Sequence, residues 1–318
     1  MNFKTAVGCY PTMITPYNAD GTVDFEAVDA LVDWYWQNGC DGIFAVCQSS
    51  EIFYLSIEER AALAARVRTR ADMLASSDKS RKPLCIVASG HISSDHDMQS
   101  AELNAVAASH PDALILITNR FDIDNTCNSN WIKDAEKMLS HLPADIPLGL
   151  YECPMPYKRL LNSEILDWCL STGRFKFIKD TCCSPELLSE RCKQLSGTGL
   201  LLFNANAQTL LQTLRDGGAG YCGVMANFHP RLYSWLCRNY DKYSDKAVHL
   251  SELLSMAAFT EALAYPCTAK YHLSELEGIA MGVTARSRDC SELTAYHKHC
   301  IQQMYNLTRE AEMRLGLR

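Results

Sequence analysis

Short apolar runs alternate with longer amphipathic stretches along most of the chain, and this alternation restricts the fold more than any other feature. Runs such as Leu84–Ser89 and Ala113–Thr118 have the length and the aliphatic content of buried strands. The stretches between such runs have the spacing of apolar residues that is typical of one helix face. Eight strand-helix units fill about 240 residues, which is the size and order of a (β/α)8 TIM barrel. We therefore predict an α/β fold of this type.

Local signals support these helix positions. Ser56 and Glu59 have the spacing of a capping box at a helix start, and Gly39 follows a helical stretch as a C-terminal cap. Pro185 stands where a first helical turn tolerates proline. We expect residues 1–243 to form the barrel and residues 244–318 to form a C-terminal helical extension.

A doubly wound open sheet is the alternative fold. No strand is followed by G-x-G-x-x-G or by G-x-x-x-x-G-K-[ST], so neither a dinucleotide site nor a P-loop is predicted. The chain carries 30 Lys and Arg against 37 Asp and Glu, a net charge of −7, which gives no attraction to nucleic acid or to an anionic membrane. We find neither a long apolar span nor a leader pattern, so we expect a cytoplasmic protein.

The fifteen cysteines are scattered singly through apolar runs, apart from the pair Cys182-Cys183. No C-x-x-C or zinc-ribbon spacing occurs. We expect mainly buried, reduced thiols, with metal ligands or disulfides as the alternatives.

Polar residues that end predicted barrel strands are the candidates for chemistry, because reacting groups lie at the carboxyl ends of such strands. Lys179 ends F-K-F-I-K, and Tyr151 ends P-L-G-L-Y. Burial of a lysine favours its neutral amine, which can attack a carbonyl and form an imine. The alternative is an ion pair between Lys179 and the adjacent Asp180.

Two further features would serve the same chemistry. The phenol of Tyr151 can transfer protons, although a core tyrosine with a satisfied hydroxyl is the simpler interpretation. Gln48 and Ser49, which follow G-I-F-A-V, offer an amide, a hydroxyl and loop N–H groups to a carboxylate.

Five blocks in order resemble the N-acetylneuraminate lyase and dihydrodipicolinate synthase family, the Schiff-base aldolases that handle pyruvate. The blocks are P-T-M-I-T-P-Y from Pro11 with Gly21 and Asp24, G-I-F-A-V-C-Q-S-S-E from Gly42, L-Y-E-C-P from Leu150, F-I-K-D from Phe177, and G-G-A-G-Y-C-G-V-M-A-N-F from Gly217.

The resemblance implies a TIM barrel with a helical extension, usually tetrameric, that needs neither a metal nor another cofactor. It implies that Lys179 forms an imine with pyruvate or another 2-keto acid and that Tyr151 carries the proton. Ser49 and the loop amides would hold the carboxylate, and Cys222 would line the pocket through its backbone.

The departures from the family pattern concern the substrate. Where the family has G-T-T-G-E or G-S-T-G-E, this chain has C-Q-S-S-E, and the amide of Gln48 cannot pass on a proton as a hydroxyl does. Dihydrodipicolinate synthases carry an arginine where this chain has Pro156, and a Pro-Tyr-Tyr segment where it has Asn119-Arg120-Phe121. The sugar-binding residues of neuraminate lyases correspond to Ala205, Asn206 and Gly223.

The sequence thus predicts a Schiff-base aldolase or lyase for a small 2-keto or 2-keto-3-deoxy acid, made from pyruvate and an aldehyde. We expect no nucleic-acid or membrane partner and a homo-oligomer, tetramer or dimer. Arg120 or Lys158 would bind an anionic acceptor, unless both are solvated rim charges. The alternatives are a catalytically weak or silent barrel that senses a 2-keto acid, and dihydrodipicolinate synthase itself.

Overall fold

Eight parallel strands form a barrel in the computed structural model, which describes residues 7–317. Each strand pairs with the next along the chain from β2 to β8, and β8 pairs with β1. Backbone hydrogen bonds of Phe44 with Pro11 and Met13 join the chain after β1 to β2 and close the barrel. The strands are β1 (Gly8–Cys9), β2 (Gly42–Phe44), β3 (Cys85–Ser89), β4 (Ala113–Ile117), β5 (Leu148–Tyr151), β6 (Phe175–Asp180), β7 (Leu201–Asn204) and β8 (Gly220–Tyr221).

One long helix follows each strand, so the predicted TIM barrel is confirmed. These helices are α1 (Phe25–Gln37), α2 (Ile57–Ser77), α3 (His96–Ala107), α4 (Asn128–Leu139), α5 (Ser163–Thr172), α6 (Pro185–Leu195), α7 (Ala207–Arg215) and α8 (Pro230–Asn239). The capping box of Ser56 and Glu59 starts α2, and Gly39 follows α1 with φ +80°. Pro185 is the first residue of α6.

The first and last strands are short, with two residues each. Pro11 has no N–H for a ladder, which stops regular pairing after β1. At Gly220 a Cβ atom would collide with the carbonyl of Gly8, so the two strands approach closely there.

Aromatic rings fill the inside of the barrel. The rings of Phe177 and Phe203 stack with centroids 4.5 Å apart, and Tyr10 meets Phe203 edge-on at 4.6 Å. Phe44 contacts Phe177 across the barrel, from β2 to β6. Because these rings occupy the interior, a substrate cavity can form only at an end of the strands.

The C-terminal part contains α9 (Ser244–Ala257), α10 (Cys267–Tyr271) and α11 (Ala295–Leu315). Helix α9 packs on α7 and α8, and α11 also packs on α8. The first six residues of the predicted barrel part and the last residue of the predicted extension, 1–6 and 318, lie outside the described residues. Between residues 7 and 317, no helix is both long and apolar enough to cross a membrane.

A disulfide joins Cys267, at the start of α10, to Cys290. The expectation of reduced thiols is therefore wrong for this pair, whereas the other thirteen cysteines are free. The two residues are 23 positions apart in sequence, but the fold brings their Cα atoms to 5.2 Å, within the range of a disulfide.

Candidate active site

A cavity of about 520 Å³ lies at the carboxyl ends of the strands, where a barrel of this type presents its reacting groups. Its walls come from the loops that follow β2, β5, β6, β7 and β8, and from the segment on either side of α10. The lining includes Gln48, Ser49, Tyr151, Lys158, Lys179, Thr181, Gly223, Glu261 and Tyr265.

Lys179 and Tyr151 stand side by side in this cavity. They are direct partners in the register of β5 and β6, and Nζ of Lys179 is 4.2 Å from the centre of the Tyr151 ring. Lys179 is only 4% exposed, and none of the described carboxylates lies within 4.0 Å of its ammonium. The alternative ion pair with Asp180 is therefore excluded, because Asp180 binds Arg191 instead.

Arg191 joins the ends of strands β5 and β6. Its guanidinium pairs with the carboxylates of Glu152 and Asp180, the residues that follow Tyr151 and Lys179. All three side chains are buried. Burial and the charge of Asp180 raise the pKa of Glu152, and Arg191 opposes this rise. Nothing in the sequence signalled that Arg191, on α6, would join the residues that follow Tyr151 and Lys179.

The phenol of Tyr151 contacts the amide of Gln48. The hydroxyl donates to Oε1 of Gln48 over 3.4 Å, and the thiol of Cys153 donates to the same oxygen over 3.7 Å. Burial raises the pKa of Tyr151 well above its ordinary value, and the nearby thiols of Cys153 and Cys47 act in the same direction. The phenol is therefore protonated and can donate, but Gln48 has no hydroxyl through which to pass the proton on.

The loop with Ser49 is built without the two glycines of the related pattern. Ser49 Oγ donates to Oγ1 of Thr12 over 3.0 Å, and Ser50 Oγ donates to the carbonyls of Met13 and Ala45. Ser49 faces the cavity at the end of β2. The loop therefore keeps a fixed shape that offers a hydroxyl to a ligand.

Glu51 fastens this loop to the C-terminal part. Its carboxylate accepts hydrogen bonds from Nζ of Lys270 at 2.9 Å and from the backbone N–H groups of Arg286 and Ser287 at 2.7 Å each. Desolvation lowers the pKa of Lys270 to about 8, and the charge of Glu51 opposes this shift. No local sequence pattern marks this connection, because Glu51 is more than 200 residues from its partners.

Two predicted residues do not face the cavity. Cys222 is fully buried and its neighbour Gly223 lines the wall, where a Cβ atom would collide with the Tyr221 ring and hydroxyl. Arg120 is directed away, because its Nη1 donates to the carbonyl of Ile92 over 2.7 Å. Neither residue is part of the cavity lining, although Lys179 acts electrostatically on the thiol of Cys222. The predicted contacts of Cys222 and Arg120 with a substrate stay predictions.

Lys158 and Glu261 carry the charges at the outer part of the cavity. Nζ of Lys158 donates to the carbonyl of Thr181 over 2.6 Å. Glu261 comes from the turn after α9, and no sequence signal marked it. Burial raises the pKa of Glu261, and the charge of Lys179 opposes this rise.

Within residues 7–317, no group of three or more His, Cys, Asp or Glu side chains could hold a metal ion.

Comparison with known proteins gives a consistent set of relatives. The model of the dihydrodipicolinate synthetase family matches residues 5–74. The 4-hydroxy-tetrahydrodipicolinate synthase of Polynucleobacter asymbioticus is 25% identical over 289 residues, 88% of each chain. That of Pseudomonas aeruginosa is 25% identical over 293 residues, 90% of this chain and 94% of its own.

Solved structures of the same type superpose over almost the whole chain. The wild-type sialic acid aldolase of Ruminococcus gnavus matches with a TM-score of 0.83 at 15% identity, covering 98% of this chain and 99% of its own. The prophage protein YagE of E. coli K12, solved with pyruvate, matches with a TM-score of 0.80 at 19% identity, covering 96% and 98%. At these identities the superpositions establish the shared fold.

Proposed function

Because the chain belongs to the dihydrodipicolinate synthase and N-acetylneuraminate lyase family, we propose that it acts through a Schiff base between Lys179 and a 2-keto acid. Members of this family are lyases and aldolases of the class I, Schiff-base type. The reaction would join pyruvate to an aldehyde, or cleave the 2-keto or 2-keto-3-deoxy acid that the two form.

One observation carries this proposal: a buried lysine, with no carboxylate of residues 7–317 within 4.0 Å of its ammonium, lies against a tyrosine in the cavity. A buried cation without a counterion is unfavourable for stability, so a lysine in this position favours a chemical role over a structural one. The neutral amine is the form that attacks a carbonyl carbon.

The steps follow from the chemistry of an imine. The amine of Lys179 adds to the keto carbon, and Tyr151 donates a proton to the hydroxyl group that leaves as water. In the cleavage direction, Tyr151, left as a phenolate by the first step, takes the proton of the C4 hydroxyl. The C3–C4 bond then breaks, the aldehyde leaves, and the protonated imine accepts the electron pair as an enamine. Protonation of the enamine at C3 and hydrolysis release pyruvate. Ser49 and its loop N–H groups would bind the C1 carboxylate.

Borohydride reduction in the presence of pyruvate tests this assignment. We expect one reduced pyruvate per chain in the intact mass, and peptide mapping should place it on Lys179. Lys179→Arg should remove the adduct. Lys176→Arg is a matched control, because Lys176 lies in the same strand with its ammonium on the carbonyl of Gly173 outside the cavity. No adduct on folded protein, or an adduct on another lysine, would contradict the proposal.

A 2-keto acid sensor is the second candidate, and the contact between Tyr151 and Gln48 favours it. An amide replaces the hydroxyl that would relay the proton, so the barrel could form the imine without turnover. Turnover of any keto acid by the wild type would exclude a silent sensor. Turnover that appears only in Gln48→Thr would support it.

The name of the curated relatives makes 4-hydroxy-tetrahydrodipicolinate synthase the narrower alternative. Pro156 stands where such enzymes carry their arginine, which argues against this alternative. An assay for the formation of 4-hydroxy-tetrahydrodipicolinate distinguishes this alternative from the proposed function. The same analogy suggests a homo-oligomer, and light scattering would distinguish a tetramer from a dimer.

A further inference from the structure

The cavity is larger than pyruvate requires. Pyruvate has six non-hydrogen atoms, and at roughly 30 Å³ for each atom it occupies at most about 180 Å³. The cavity of about 520 Å³ therefore leaves most of its volume to the rest of a longer substrate. The charges that line this outer part determine what the rest of the substrate can be.

Four charged side chains of the described residues line the cavity, and two of them already have a role or a partner. Lys179 is the proposed nucleophile, and the carboxylate of Glu51 is neutralised by Lys270. The remaining pair is Lys158 and Glu261, and neither of them forms a salt bridge within the part of the chain that the structure describes.

Hydrogen bonds fix both the loop that contains Lys158 and the ammonium group of its side chain. Nδ2 of Asn119 donates to the carbonyls of Cys153 and Met155 at 2.8 and 2.9 Å, which fixes the loop that precedes Lys158. The Nζ atom itself donates to the carbonyl of Thr181, two residues beyond Lys179. An ammonium has three donors, so two remain for a ligand in the cavity.

Glu261 limits where a second negative charge can lie. Both Lys158 and Glu261 act electrostatically on Cys183, in opposite directions, so they lie near the same wall of the cavity. An acid group of a substrate would be repelled by Glu261 and attracted by Lys158. Glu261 would instead accept a hydrogen bond from a substrate hydroxyl.

We propose that Lys158 determines specificity by binding a second carboxylate, so that this enzyme handles 2-keto acids that carry an acid group at the end remote from the keto carbon. The proposal rests on the proposed function, since it concerns the outer half of the same cavity. Arg120, the other predicted cation, does not line the cavity, and its Nη1 donates to the carbonyl of Ile92 over 2.7 Å.

Imine trapping with matched keto acids tests the proposal without an aldol reaction. The probes are 2-oxoglutarate against 2-oxopentanoate, and 2-oxoadipate against 2-oxohexanoate, pairs in which a methyl group replaces the second carboxylate. The readout is the half-saturating concentration for the borohydride adduct on Lys179. For the better-fitting diacid we expect a value about 10- to 100-fold lower than for its methyl partner, the usual effect of hydrogen bonds to a charged group.

Variants then assign the effect to one side chain. Lys158→Met and Lys158→Gln should remove the preference for the diacid over its methyl partner, with the trapping of pyruvate by each variant measured as the reference. Lys158→Arg should retain the preference, and Lys176→Met, outside the cavity, should behave as the wild type. Both loss-of-charge variants alter a solvent-exposed side chain, and circular dichroism verifies their folding.

The outcomes separate this proposal from the one on which it rests. If pyruvate is trapped but neither diacid is preferred, or if the preference survives in both Lys158→Met and Lys158→Gln, the specificity proposal is wrong and the imine proposal stands. If pyruvate gives no adduct on Lys179, the proposed function fails, and this proposal fails with it.

Discussion

Replacing Arg191 by methionine tests how the strand ends that carry Tyr151 and Lys179 are held. Arg191 is 2% exposed, its Nη2 lies 2.7 Å from Oε1 of Glu152, and its Nη1 binds Asp180. Glu152 also accepts hydrogen bonds from the backbone N–H groups of Leu161 and Thr181, at 2.8 and 2.9 Å. The substitution leaves two buried carboxylates without a cation.

Loss of one partner from a buried ion pair destabilises a protein by about 3–5 kcal/mol, because a charge stays buried and uncompensated. The loss should depend on pH. Without Arg191 the pKa of Glu152, already raised by burial and by Asp180, should rise further. An acid with a higher pKa in the folded state binds a proton that the unfolded chain has released, so stability falls as pH rises above 4.5, the ordinary value.

Urea unfolding followed by circular dichroism at several pH values measures both effects. The difference in free energy of unfolding between wild type and Arg191→Met should shrink toward pH 5, by up to about 1.4 kcal/mol per pH unit for one bound proton. Arg66→Met is the control. Arg66 pairs with Asp29 on the surface, where an ion pair contributes only about 0–1 kcal/mol. A loss below about 1 kcal/mol in Arg191→Met, or a loss that does not vary with pH, would refute this reasoning.

Three further predictions concern other parts of the fold. Tyr151→Phe should still form the imine adduct, but about 10²–10⁴ times more slowly, because the general acid is lost; an unchanged single-turnover rate would remove Tyr151 from the mechanism. Cys290→Ser should lower the free energy of unfolding by about 3 kcal/mol, because the disulfide with Cys267 closes a loop of 23 residues. Addition of a reductant should reproduce that loss in the wild type and leave the variant unchanged. Gly149→Ala should cost about 1–3 kcal/mol, because the new Cβ would lie 2.9 Å from the carbonyl oxygen of Phe177; equal thermal melting of variant and wild type would contradict the packing of β5 on β6.

The barrel could be predicted from sequence because its signals are local. Apolar runs such as Ala113–Ile117 and caps such as Ser56 with Glu59 act within a few residues, and the eightfold alternation leaves few topologies. The lengths of β1 and β8 could not be predicted, because they depend on the close approach of Gly8 and Gly220 at barrel closure.

The site was predictable where it lies on strands. The ends of β5 and β6 placed Tyr151 and Lys179 in neighbouring positions, as their parallel register requires. The direction of the Arg120 side chain depends on a hydrogen bond to a distant carbonyl, and the position of Glu261 depends on how the C-terminal segment packs. The bond between Cys267 and Cys290 was one of many pairings that fifteen cysteines allow.

The walls of the cavity come from two parts of the chain, the barrel and the C-terminal segment, and these parts can change independently in evolution. The proposed nucleophile and proton carrier project from barrel strands, whereas Glu261, Tyr265 and Ser287 reach the same space from beyond α9. Strand positions are fixed by the barrel core, but a substitution at an exposed wall position such as Glu261 alters the outer wall without disturbing that core. Exposed positions of the C-terminal segment can therefore change what the cavity accepts while the strand ends that carry Tyr151 and Lys179 stay as they are.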